Sequence, residues 1–142
     1  MEIPVSSDNN NGRPMEPDIL VVDDSAAIRK ILQRVLKQTG IPIRFVHEAS
    51  DGQEALDLMK TRHVDVILTD INMPRMDGVQ FLAAVKNAEQ WHRIPVLMVT
   101  TEGSEASVGE ALRLGAAGYV RKPFTADQIK EKLLAVLEPA ES

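Results

Sequence analysis

The sequence predicts a doubly wound α/β fold: one five-stranded parallel sheet, strand order 2-1-3-4-5, with helices on both faces. Three observations carry this expectation. Strand-like and helical stretches alternate five times along the chain. Three of the strands, residues 19–22, 66–68 and 96–99, are continuous apolar runs, as expected for parallel strands covered on both faces. The other two, residues 43–48 and Gly118–Arg121, carry more polar positions and suit the sheet edges. Strict βα alternation implies right-handed crossovers. With the three apolar strands central, the first and third become neighbours and flank the switch point where ligands bind.

Taken in order, residues 1–17 hold Ser6, Ser7, Asp8, three consecutive asparagines and three prolines. Such a stretch buries too little apolar surface to offset the entropy of ordering, so it reads as a disordered arm, or alternatively as a short recognition peptide. Folding is expected to begin at Asp18 and to end near Glu138, with residues 139–142 a short tail. After the first strand, Ser25 is a plausible helix cap. Ile28, Ile31, Leu32, Val35 and Leu36 then form an apolar stripe, with Arg29, Lys30, Arg34 and Lys37 on the solvated face. Gly40 ends that helix. A second helix is expected over residues 53–60 behind Asp51, and a third over 79–87 with Val79, Leu82 and Val85 facing inward. The fourth, Glu105–Leu114, carries Gly109 in its interior and stops at Gly115. The fifth, Ala126–Leu137, turns Ile129, Leu133, Val136 and Leu137 inward. Five residues follow it, leaving no room for an attached output domain.

Composition narrows the function. At 142 residues, 44% hydrophobic and 26% charged, the chain fits one domain with a real core. It has no cysteine, which excludes disulfides, thiol nucleophiles and Cys-based zinc sites, and agrees with a reducing cytoplasm. No apolar run approaches the roughly 18 residues of a membrane span, and the N-terminus is unlike a signal peptide. A net charge of -5 and a pI near 5.2 argue against a nucleic-acid surface. Neither a GxxxxGK nor a GxGxxG loop is present, so nucleotides are not expected ligands. His47, His63 and His92 share no metal-ligand spacing and read as surface or edge residues. Trp91 reads as a packing lid over the third helix.

The chemistry gathers at the strand ends. The first strand delivers Asp23 and Asp24, and the adjacent third strand delivers Asp70, before the break at Pro74, Asp77 and Gly78. Three carboxylates in one crevice repel and raise each other's pKa unless a cation intervenes. Magnesium suits such a site: Asp24 and Asp70 are the expected direct ligands, Asp23 acts through water, and the Asn72 backbone carbonyl supplies a further oxygen. The fourth strand ends at Thr100 and Thr101, placing hydroxyls beside Asp70. The fifth leads to Lys122, whose charge can offset a phosphoryl group on Asp70.

In Asp23-Asp24, Asp70, Thr100 and Lys122-Pro123-Phe124 the chain resembles the receiver domain of two-component response regulators, most closely the single-domain chemotaxis type. The resemblance covers about residues 18–138. Each motif alone is weak; the four in order on the right strand ends are specific. It implies the flavodoxin-like receiver fold, and the 2-1-3-4-5 order is itself a property of that family, so fold and resemblance are not independent. It further implies that Asp70 accepts a phosphoryl group from a sensor histidine kinase or histidine phosphotransfer protein, with Mg2+ required. The hydroxyl of Thr100 then swings toward the phosphoryl oxygens, and Tyr119 turns inward behind it, altering the surface of the fourth helix, fifth strand and fifth helix. Lys122-Pro123 is expected to be cis, as only proline makes cheap. Thr101 stands where many receivers have alanine or glycine, and Asn72 and Glu102 occupy positions that tune dephosphorylation.

On this reading the protein is a cytoplasmic, monomeric stand-alone receiver and no enzyme toward other substrates. It acts in trans on a downstream target, without nucleic acid or membrane insertion. Two readings compete. A Mg2+-dependent phosphohydrolase of the haloacid-dehalogenase kind also forms an aspartyl phosphate, but it needs a second acid two residues on, where this chain has Asn72. A degenerate receiver would serve as a constitutive binding module, against which the intact acid set argues.

Overall fold

The computed structural model describes residues 16–101 and 105–137. Nearly all of the expected N-terminal arm, Glu102 and the C-terminal tail lie outside the described residues. Five strands, β1 (Asp18–Val22), β2 (Phe45–Ala49), β3 (Val66–Asp70), β4 (Val96–Thr100) and β5 (Gly118–Arg121), form one parallel sheet in the order β2-β1-β3-β4-β5. Five helices alternate with them: α1 (Ala26–Gln38), α2 (Gly52–Met59), α3 (Gly78–Asn87), α4 (Glu105–Leu114) and α5 (Ala126–Leu137). The expected fold class and strand order are thus observed.

Burial follows the apolar pattern. β1, β3 and β4 are buried along their whole length, whereas β2 and β5 alternate with exposed positions. Because side chains alternate across a strand, Leu20, Val22, Ile67 and Met98 pack on one face beneath α2, α3 and α4. Ile19, Val21, Leu68 and Val99 pack on the other face beneath α1 and α5. Trp91 lies against the first of these cores, together with Leu82 and Val85 of α3, as expected.

The first three helix starts are fixed locally. The Ser25 side chain accepts the Ile28 N–H, Asp51 accepts that of Glu54, and Asp77 with Gln80 forms a reciprocal capping box. Gly40, with φ +78°, follows α1, and Gly115, with φ +115°, follows α4; both adopt the left-handed conformation that glycine tolerates. Three details depart from expectation. Ile31 of the α1 stripe is exposed, leaving Leu32, Val35 and Leu36 to bury that helix. In α3 the fully buried aromatic is Phe81, while Val79 is only half-buried. His47 lies on edge strand β2, as expected, but is buried there, edge-on to the Phe45 ring at 4.5 Å between centroids.

Gly109 sits inside α4, and a Cβ there would meet nothing within 4 Å. Gly109→Ala is therefore expected to stabilise the protein by up to about 1 kcal/mol through helix propensity alone. Urea unfolding of the two proteins side by side measures it.

Candidate functional site

The candidate acids, hydroxyls and lysine come from the carboxyl ends of β1, β3, β4 and β5, at one end of the sheet, and Tyr119 lies within β5. Parallel pairing of β1 with β3, which sets Val22 beside Thr69, brings the acids that follow β1 next to Asp70 at the end of β3. Asp23, Asp24 and Asp70 each offer a ligand oxygen, and these oxygens lie within 4.8 Å of one another. Asp23 and Asp70 are buried; Asp24 is exposed at the mouth.

Asp23 is fully engaged. Its Oδ1 accepts the Ser25 N–H at 2.9 Å, and its Oδ2 accepts from Lys122 Nζ at 3.1 Å. Asp70 Oδ1 accepts the Ile71 N–H at 2.8 Å and faces Lys122 Nζ at 3.6 Å. Lys122 therefore bridges the two buried acids from the β5 side. Burial pushes the Asp70 carboxyl above the ordinary carboxylate range, and repulsion from Asp23 adds to it. Lys122 and the Ile71 N–H offset that only in part. An all-oxygen donor set of clustered, mutually repelling acids fits a hard divalent ion such as Mg2+.

The other expected residues fall around this pocket. Thr100 is buried at the end of β4, its hydroxyl donating to the Thr101 carbonyl at 3.2 Å. Thr101 is exposed. Asn72 is exposed in the loop just beyond Asp70. Lys122-Pro123 is a cis peptide. Tyr119 is 39% exposed, and between it and Thr100 opens a cleft of about 240 Å³ lined also by Val108, Gly109 and Leu112 of α4.

Two features that hold Asp70 in place escaped the sequence reading. Gly78 opens α3, its N–H donating to the Ile71 carbonyl at 2.7 Å, and a Cβ there would run into the Asp70 carbonyl oxygen and Ile71 Cα. The loop from Asp70 to Gly78 is also tied sideways. Arg75, a non-glycine residue at φ +65°, donates Nε and Nη2 to Oδ2 of buried Asp51, the α2 cap. Nothing local signals a pair 24 residues apart; only the cap role of Asp51 was legible.

The tie has a pH signature. Burial alone would raise the Asp51 carboxyl. The Glu54 N–H and the Arg75 guanidinium outweigh it and hold Asp51 below the ordinary carboxylate range. A carboxyl whose folded pKa is depressed contributes stability that is present above its unfolded pKa and is lost as pH falls through the folded one. Arg75→Ala is expected to be less stable than wild type at neutral pH, with the gap closing as acid protonates Asp51. Urea midpoints across the acid range check this.

The sequence profile of the response regulator receiver domain matches residues 19–134. The chain belongs to that receiver family. It is 41% identical over 120 residues to the chemotaxis protein CheY of Pseudomonas aeruginosa, covering 84% of this chain and 95% of that protein. It is 43% identical to a CheY homolog of Campylobacter jejuni, covering 84% and 91%. Among solved structures, the chemotaxis response regulator CheY4 of Vibrio cholerae superposes with a TM-score of 0.74 at 37% identity, covering 85% of this chain and 98% of that one. The receiver domain of NtrX from Brucella abortus gives 0.77 at 31%, covering 87% and 100%. This chain is thus a receiver of the CheY type, acting in two-component signalling.

Proposed function

We propose that this receiver takes a phosphoryl group on Asp70 from the phosphohistidine of a sensor histidine kinase or histidine phosphotransfer protein, and that the modified surface switches a partner bound in trans. The observation that carries the reading is the placement of Asp70: a buried strand-end carboxylate between two further acids and a lysine. Asp70 Oδ1 is held by the Ile71 N–H, which leaves Oδ2 to attack phosphorus. A P–O bond forms, the P–N bond breaks, and its electron pair returns to the donor imidazole. Lys122, already within 3.6 Å, neutralises the acyl phosphate.

Asp24 and Asp70 are the residues that would hold Mg2+ directly, with the Asn72 carbonyl; Asp23, both of whose oxygens are already bonded, fits the water-mediated role. When bound, that ion supplies charge neutralisation at the phosphoryl oxygens. The Thr100 hydroxyl reaches the phosphoryl group by giving up its bond to Thr101, and exposed Thr101 narrows access to it. Tyr119 then has the cleft behind Thr100 to enter, which alters the α4–β5–α5 face. Chemotaxis is the pathway that the CheY relatives favour. A cytoplasmic location is part of this proposal; no helix among the described residues is long and apolar enough to cross a membrane.

Hydrolysis of organic phosphates is disfavoured by Asn72, which cannot act as general acid two residues after the acceptor. Incubation with acetyl phosphate and Mg2+, followed by intact mass, separates the readings. One added phosphoryl group that requires the metal supports the receiver. Sustained phosphate release from varied organic phosphates would favour the hydrolase. No adduct with any donor would leave a constitutive binding module.

A further inference from the structure

At the opposite end of the sheet, where β1 and β3 begin, a second group of potential metal ligands has no part in the receiver chemistry. Asp18, His63 and Asp65 each offer a ligand atom, and these lie within 4.8 Å of one another. Acidic clusters are common, so proximity alone carries little. What singles this one out is Asp18. It is 2% exposed, and its Oδ1 is the one buried side-chain polar atom among the described residues without a hydrogen-bond partner. A bare buried carboxylate oxygen is costly unless something occupies it.

We propose that Asp18 Oδ1, Asp65 Oδ1 and the His63 imidazole form a second cation site, for a borderline transition ion such as Zn2+. The remaining oxygens are already committed in the way that metal sites require. Asp18 Oδ2 accepts from Arg44 Nη2, and Asp65 Oδ2 accepts the Asp18 N–H at 2.8 Å. One oxygen of each carboxylate is thereby held, as ligands around an ion commonly are, and the proposal assigns the other, Asp18 Oδ1 and Asp65 Oδ1, to the cation. His63 Nε2 and Asp65 Oδ1 sit 2.7 Å apart in a hydrogen bond. A tetrahedral ion at about 2.0 Å from each needs them roughly 3.3 Å apart, a small opening for His63, whose side chain is 65% exposed. One imidazole with two carboxylates selects a zinc-like ion over Mg2+, which prefers oxygen alone. Three protein ligands leave the fourth position to water or to an approaching group. The ion would staple the loop before β3 to the start of β1, far along the sheet from Asp70.

The test is a Zn2+ titration of the full chain in excess Mg2+, followed by calorimetry and by the His63 imidazole resonances in NMR. The expected result is one equivalent bound with the His63 signals shifted. That binding should be kept in Asp70→Asn and weakened at least tenfold in His63→Gln, an exposed change that leaves the fold intact. His92→Gln should bind like wild type. Binding that survives His63→Gln, binding lost in Asp70→Asn, or no binding at all would each overturn the proposal.

Discussion

Asp70→Asn is expected to lose all phosphoryl acceptance and yet to be more stable than the wild type when both are free of metal. Both effects follow from replacing the carboxylate: the amide offers no nucleophilic oxygen for phosphorus, and a buried charge is removed. Burial and the neighbouring Asp23 raise the Asp70 carboxyl, so its negative charge is held at a cost. An acid whose folded pKa is raised contributes stability at low pH, and that contribution is lost as pH rises through the folded pKa. At neutral pH the charge therefore works against the fold. The amide keeps the shape and an oxygen for the Ile71 N–H while removing the charge, so a gain of about 1 kcal/mol is expected, typical of substitutions that relieve a strained site. The gain should shrink toward about pH 4, where carboxylates protonate, and narrow when Mg2+ offsets the same repulsion in the wild type. Urea unfolding in chelator, repeated at acid pH and with Mg2+, reads all three comparisons. A less stable Asp70→Asn in chelator would mean that Lys122 more than balances the two buried acids.

Gly78→Ala is expected to do the opposite damage. Its new methyl would meet backbone, the Asp70 carbonyl and Ile71 Cα, which cannot rotate away as a flexible side chain would. Overpacking of this kind costs on the order of 3 kcal/mol, measurable as a lower urea midpoint. Relief comes only by moving the loop that carries Asp70. A displacement of about 1 Å in a reacting group costs as much as a hundredfold in rate, so phosphorylation by acetyl phosphate should slow at least tenfold under conditions where the variant is folded. Gly109→Ala, which meets nothing, is the matched control.

Much of this was legible in the sequence because it depends on short-range pattern. Apolar runs mark β1, β3 and β4 as central, and a strand-end acid followed by a break marks Asp70. Once the strand order is inferred, Asp23, Asp24, Thr100 and Lys122 must converge. What escaped depends on tertiary distance. Gly78 looked like a turn glycine, since no pattern reveals a backbone approach across the loop. Arg75 met Asp51 over 24 residues, and its positive φ has no compositional signal. His63 reads as an exposed residue, which it is; Asp65 is its neighbour in sequence, but the approach of Asp18 to both exists only because β1 and β3 pair. Exposure of Ile31 reflects how far the helix face turns from the sheet, which helical periodicity carries only approximately, and burial of His47 reflects packing on an edge strand that its polar composition hides.

We propose that Asp70, and no other residue, carries the phosphoryl group. Reductive trapping addresses it directly: phosphorylate with acetyl phosphate and Mg2+, reduce with borohydride, which converts an aspartyl phosphate to homoserine, and map the peptides by mass. Homoserine is expected at position 70 alone and not at all in Asp70→Asn. Homoserine at position 23 or 24, or a stable phosphate on Thr100 or His63, would contradict it.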